Sequence, residues 1–210
     1  MSTIIAFISQ KGGVGKSTLA RALGREAASS GLKIKIADLD TQQGTSVDWY
    51  RMRLDANIEP VVPVELFRTA EQALKTANHY ELFIIDGPAR TSKATLEIAR
   101  LSDLVVQPTG PAVDDLRPAV REFHALINEG ISRERLVFAL NHIGTETEAL
   151  EASAYLEEAG YLVLTGYLPE RPGYRLAQNT GYAITETRFT GLNEKADILI
   201  QAIIDLVANG

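Results

Sequence analysis

The feature that most restricts the fold is a recurrence of short apolar runs, each the length of a buried strand, with helical patterns between them. The runs are Thr3–Ser9, Lys33–Asp38, Pro60–Leu66, Leu82–Asp86, Asp103–Pro108, Leu136–Asn141 and Tyr161–Leu168. Helical spacing is read at Ser17–Ser29, Thr69–Asn78, Lys93–Leu101, Asp114–Asn128, Glu146–Glu158 and Leu192–Val207. Strands that are apolar throughout, rather than at every second residue, must be covered on both faces. Interleaved with helices they predict an α/β fold: a mostly parallel central sheet with helices on both faces. No repeat, low-complexity tract or linker interrupts the pattern, so residues 1–210 read as one domain. A chain of 210 residues with a hydrophobic fraction of 45% can bury a sizeable core. In open sheets of this kind ligands sit at the carboxyl ends of the strands, and candidate residues are sought there.

Several classes are excluded first. The chain has no cysteine, which rules out disulfides and any cysteine-held zinc or iron–sulfur site and is compatible with a cytoplasmic setting. The first apolar run is short and passes straight into a glycine-rich loop, so no signal peptide is expected. No run approaches the roughly 20 residues of a membrane-spanning helix. The formal net charge is −6, from 21 basic and 27 acidic residues. A surface of that sign repels nucleic acid unless basic residues gather locally.

The first strand runs into QKGGVGKST, Gln10 to Thr18. Gly12, Gly13 and Gly15 let backbone N–H groups curl round a phosphate, with Val14 and Thr18 in the same turn, and the following helix adds its positive end. Gly15-Lys16-Ser17 fit the close of the pattern G-x-x-x-x-G-K-[ST]: Lys16 for the outer phosphates, Ser17 for Mg²⁺. Gln10 stands where the first glycine is usual, and Lys11 follows it. Strand two ends in ADLDTQQGT, with Asp38 and Asp40 at the sheet edge, where both can face one cation or one can orient a water. Strand four ends in FIIDGP, placing Asp86 as a Walker-B-like carboxylate for Mg²⁺. Three readings of Lys11 stand open: it crosses a two-fold axis to a nucleotide on a second subunit, it makes a second contact within its own subunit, or it is a surface lysine without a role.

KGGVGKST resembles the deviant Walker A motif of the ParA/MinD family of ATPases, and the resemblance extends over the whole chain. It implies a P-loop NTPase fold with ATP and Mg²⁺ as ligands and an ATP-bound homodimer. Lys11 would be the lysine that acts in trans, Lys16 the phosphate lysine, and Asp40 the water-positioning residue. Ser17, Asp38 and Asp86 would form the metal side. LNHI makes Asn141 a candidate adenine contact, and LPERPGY adds Pro169 and Arg171. Two departures stand out: Thr41 where proline is common after D-x-D, and Gly87 where IIDTP carries a hydroxyl.

The tail separates branches of this family. ADILIQAIIDLVANG has apolar residues at Ile198, Leu199, Ala202, Ile203, Leu206 and Val207 and charges only at Asp197 and Asp205. Without Lys or Arg it reads as a core-packed helix and not as a membrane anchor. The resemblance is closest to small ParA-type proteins, slow ATPases stimulated by a ParB-like or cargo-bound partner. These bind non-specific DNA in the ATP state, partition plasmid or chromosomal DNA or position a cytoplasmic cargo, and are nucleoid-associated. Arg188 and Lys195 are the leading candidates for the DNA contact; Arg51 with Arg53, Arg133 with Arg135, and Arg171 with Arg175 are the others. Strand one begins at Thr3, so no helix-turn-helix is expected ahead of it. A MinD-like membrane-associated positioning ATPase and a DNA-transfer accessory protein that binds a specific sequence are the alternatives. His79, His124 and His142 lack metal-ligand spacing. Trp49 and Tyr50 read as packed aromatics, and Asp114 and Asp115 as caps or dipole partners of a helix.

Overall fold

A computed structural model describes residues 2–89 and 92–208. Its seven strands are β1 (Thr3–Phe7), β2 (Ile34–Asp38), β3 (Val64–Leu66), β4 (Leu82–Asp86), β5 (Leu104–Thr109), β6 (Leu136–Ile143) and β7 (Leu162–Pro169). They form one sheet in the order β3-β2-β4-β1-β5-β6-β7, and every pairing is parallel. The helices are α1 (Lys16–Ser29), α2 (Thr45–Asp55), α3 (Ala70–Ala77), α4 (Ser92–Leu101), α5 (Val113–Asn128), α6 (Glu146–Glu158), α7 (Pro172–Gln178) and α8 (Thr190–Ala208).

Every strand but the short edge strand β3 feeds two cores. Along β1, Ile5 and Phe7 join Leu19 and Leu23 of α1 and Leu199 and Ile203 of α8, while Ala6 and Ile8 join Phe123 of α5 and Leu156 of α6. Burial on both sides is why these strands are apolar throughout. The expected third strand shrinks to Val64–Leu66, since Pro60 and Pro63 lack the N–H a ladder needs. The last helix packs through Ala196, Leu199, Ile200 and Ile203, with Ala202, Leu206 and Val207 partly buried on the same core, whereas Ile198 of the expected stripe is exposed. Among the described residues no helix is long and apolar enough to cross a membrane.

β1 lies between β4 and β5. The chain leaves β1 toward β2 on one side and later adds β5, β6 and β7 on the other. The loop after β1 therefore opens at the point where the winding reverses, the position that binds ligands in such sheets.

Candidate nucleotide site

The loop between β1 and α1 is held from the far side of the sheet. Gly15 caps α1 with φ 107°, a left-handed conformation that favours glycine. A Cβ there would also run into the Asn141 amide. Asn141, at the end of β6, donates from Nδ2 to the Val14 carbonyl at 2.7 Å and accepts the His142 N–H at 2.8 Å. His142 places Nε2 3.0 Å from the Gly13 carbonyl. Lys16 is buried, its Nζ 3.4 Å from the Lys11 carbonyl. Burial pushes its pKa down, opposed by Asp86, Asp40 and Glu122. A buried ammonium that lacks a close anion suits a group that will receive one.

The acidic side is divided by role. Asp38 and Asp86 are register partners on β2 and β4, and both are buried. Asp38 Oδ1 accepts the Asp40 N–H at 3.0 Å, and Oδ2 accepts the Ser46 and Val47 N–H groups at 3.0 and 3.3 Å. Burial and the neighbouring Asp86 raise its pKa to about 6, against these hydrogen bonds. Asp86 Oδ2 accepts from the Ser46 hydroxyl at 2.7 Å, whereas its buried Oδ1 has no hydrogen-bond partner. Burial raises this carboxyl's pKa too, against the pull of the Ser46 and Ser17 hydroxyls and of Arg21 and Lys16. The Ser17 hydroxyl lies 3.4 Å from that of Thr45. An unpartnered carboxylate oxygen beside a helix-start serine fits a hard divalent cation. Among the described residues no three His, Asp or Glu side chains form a metal cluster of their own. Phosphate and water oxygens would have to complete such a shell.

One cleft of about 420 Å³ gathers most of the expected residues. Gly12, Gly13, Gly15, Lys16, Ser17, Thr18, Asp40, Asn141, Pro169 and Arg171 all line it. Asp40 sits at its rim, with Oδ1 accepting the Gln42 and Gln43 N–H groups at 3.2 and 3.1 Å. Gly87 lines the cleft as well, and a Cβ there would stand 2.7 Å from the Phe7 carbonyl oxygen. That close approach is the reason for glycine where the family pattern has a hydroxyl residue. Four of the expected nucleotide and metal residues lie off the cleft wall. Val14 is turned inward, Asp38 is enclosed by the loop it holds, Asp86 is buried against Ser46, and Lys11 points outward to an ion pair with Asp115 of α5.

Other contributors come from elements far apart in sequence. Arg21 of α1 lines the cleft floor. Glu122 of α5, buried, accepts the Gln10 N–H at 3.1 Å and the Gln107 amide at 2.7 Å. It thereby grips the backbone at the position where the usual loop has its first glycine. Burial raises its pKa, against the hydrogen bond from Gln10 and the charge of Lys16. His142 is the histidine that matters here, and only its place beside Asn141 marks it in the sequence. Asp114 and Asp115 lie in the first turn of α5, yet the cap is Ala112 and no side chain caps it; Asp115 serves Lys11 instead.

The comparisons agree with this geometry. The sequence profile of the CobQ/CobB/MinD/ParA nucleotide binding domain, CbiA, matches residues 5–184. The chain belongs to this family. No curated protein matches it significantly in sequence, but solved structures of CobQ/CobB/MinD/ParA members superpose over nearly its full length. The septum site-determining protein MinD of Pyrococcus horikoshii OT3, complexed with Mg-ADP, has a TM-score of 0.76 at 18% identity, covering 99% of this chain and 98% of that one. A variant of Cyanothece McdA in complex with ATP gives 0.73 at 16% identity, covering 96% of each. A ParA family ATPase from Chlorobium tepidum TLS gives 0.69 at 17% identity, covering 97% and 99%. The family expectation drawn from KGGVGKST and the fold expected with it both hold.

On this CobQ/CobB/MinD/ParA scaffold the basic candidates separate. Arg53 is buried and ion-paired with Glu186 at 2.7 Å. Arg133 donates to the Gly160 carbonyl at 2.9 Å, and Arg135 to those of Ala99 and Ser102. Arg53 and Arg135 are thus committed to the protein itself, while Arg133 stays exposed although it is bonded to a carbonyl. Arg171 and Arg175 line the cleft. Arg188 and Lys195 remain exposed, stacked on Phe189 and Tyr167 with 4.9 Å to each ring centroid. Neither takes part in an ion pair among the described residues.

Proposed function

We propose that the protein is an ATP-dependent dimerising ATPase of the ParA type. In this reading ATP occupies the cleft, and its hydrolysis is slow until a cargo-bound partner stimulates it. The ATP-bound dimer binds DNA without sequence preference to partition DNA or position a cargo. The observation that carries the reading is the divergence of two lysines five residues apart. Lys16 is buried in the cleft wall, while Lys11 is half exposed and reaches outward to Asp115. Lys16 then serves the nucleotide of its own subunit, and Lys11 leaves Asp115 to serve the nucleotide of the other.

Within that reading Ser17 and the free Oδ1 of Asp86 hold Mg²⁺, which supplies charge neutralisation at the phosphates. Asp38, its oxygens taken by loop N–H groups, shapes the Asp40 turn and so acts on the metal side at one remove. Asp40 orients the attacking water from the rim. Pro169 and Arg171, with Asn141 behind the loop, form the base side. Arg188 and Lys195 supply the DNA contact.

The test compares two substitutions. Lys16→Ala should lose nucleotide binding by about tenfold or more, as expected when a charged hydrogen-bonding partner is removed. Lys11→Ala should bind fluorescent ATP normally and remain monomeric by light scattering, whereas the wild type dimerises with ATP. A Lys11→Ala protein that still dimerised and hydrolysed ATP at the stimulated rate would sink the trans assignment.

A further inference from the structure

The metal side of the cleft contains a cation that the phosphate loop does not account for. Arg21 lies four residues, one helical turn, after Ser17, and so on the same face of α1. It is only 8% exposed. Its Nε donates to the Ser46 hydroxyl at 3.0 Å and its Nη1 to Gln178 Oε1 at 3.4 Å. The guanidinium carbon stands 5.7 Å from the ring centroid of Trp49. Ser46 passes the contact on: its hydroxyl donates to Asp86 Oδ2 at 2.7 Å, and its N–H donates to Asp38 Oδ2 at 3.0 Å.

Asp38 and Asp86 are cross-strand neighbours in the core, 0% and 2% exposed. Two carboxylates so placed lose hydration and repel one another, and each must be compensated by hydrogen bonds and by positive charge. Mg²⁺ can supply that charge only while it is bound. Lys16 can supply it only until phosphates arrive. Arg21 is tied at both ends of its fork, to α2 through Ser46 and to α7 through Gln178, and stacked on an aromatic face. Its guanidinium stays charged at any working pH.

We propose that Arg21 is a resident counter-cation for the Asp38–Asp86 pair, a positioning residue that holds Ser46, the start of α2 and Asp86 Oδ2 in place whether or not a divalent ion is bound. Asp86 Oδ1 is thereby left for the metal in a site already formed. The inference rests on the reading of Ser17 and Asp86 as the Mg²⁺ residues, and it extends that reading to a group outside the phosphate loop.

The experiment is thermal unfolding of the nucleotide-free protein, followed by the fluorescence of Trp49, the single tryptophan, in EDTA and in millimolar Mg²⁺. Wild type should melt at nearly the same temperature in both. Arg21→Gln in EDTA should melt lower by roughly 5–10 °C, and Mg²⁺ should restore at least half of the loss, because it replaces the missing charge. Arg21→Lys should retain most of the stability in EDTA. Ser46→Ala, a milder change that breaks the relay and leaves the charge, should also become sensitive to Mg²⁺. An equal loss for Arg21→Gln with and without Mg²⁺ would reduce Arg21 to a packing residue, and no loss at all would remove its role. Mn²⁺ binding by wild type with ADP, read by electron paramagnetic resonance, separates the two levels. Mn²⁺ held by the wild type, together with variants indifferent to Mg²⁺, overturns only the counter-cation. Mn²⁺ not held with ADP overturns the metal site and this inference with it.

Discussion

Gly87 illustrates how much a single position can be set by its neighbours. It follows Asp86 directly, and its N–H donates to the Phe7 carbonyl at 2.9 Å. The same carbonyl oxygen lies 2.7 Å from where a Cβ would stand. Backbone cannot yield as the end of a side chain can. Gly87→Ser, which restores the hydroxyl of the family pattern, should therefore destabilise the fold by about 1–3 kcal/mol, the usual cost of overpacking a filled site. Urea unfolding would measure it; a serine variant as stable as wild type would show that β1 and β4 separate here at no cost. The departure was legible in the sequence, but its cause was not, because Phe7 belongs to another strand. The same holds across the site. The glycine loop, Lys16, Ser17 and Asp86 announce themselves by local spacing, since one turn must make several contacts with one phosphate chain. Arg21 and His142 reach the cleft, and Glu122 the loop that forms it, from positions where a lone charged or polar residue is most often a solvated surface group, and only the packing of α1, α5 and β6 against the loop brings them in.

Elements divide in the same way. Six strands were legible because burial on two faces leaves continuous apolar runs, and the edge strand β3 was read too long because its run begins with prolines. Two helices were not. α7 is short and starts on a proline. α2 buries Ser46, Trp49 and Arg53, a face that is mostly polar, so no apolar stripe marks it. What holds α2 instead is an ion-paired network. Arg53, buried, meets Glu186 in a fork at 2.7 and 3.0 Å, and Glu186 also accepts from Arg25 of α1 at 3.0 Å. Burial alone would raise the pKa of Glu186, but the Arg53 bonds, the Ala183 N–H and the two arginine charges lower it below the usual 4.5. A depressed carboxyl pKa contributes stability above the unfolded value, and that contribution disappears as pH falls through the folded value. Glu186→Gln should therefore cost about 3–5 kcal/mol near neutrality, leaving a buried arginine with half its partner. The gap to wild type should close as pH falls below about 4.5. Paired melting curves from pH 7 to pH 3 would show it, and a gap that stays constant over that range would mean that the charge of Glu186 is not what holds α2.

At the scale of the whole molecule, a protein with net charge −6 must concentrate positive charge to hold a polyanion. Seven of its fourteen arginines bond to the protein's own carbonyls, pair with Glu186 or line the cleft. Arg188 and Lys195 are both exposed, both stack on a ring, and neither is neutralised by an ion pair among the described residues. Stacking on Phe189 and Tyr167 limits the freedom each side chain would lose on contact, which favours binding. In a dimer each residue appears twice. If all four charges meet phosphates, they account for a slope of roughly −3 to −4 in the logarithm of the binding constant against that of salt concentration. The double variant Arg188→Ala with Lys195→Ala should therefore bind a random-sequence duplex more weakly in ATP and lose about that much of the slope, while its nucleotide affinity stays unchanged. Fluorescence anisotropy across a salt series reads both quantities at once. A slope equal to that of wild type would move the contact to other residues, and a wild type indifferent to DNA in both ATP and ADP would move the platform of the ATP switch to another kind of surface.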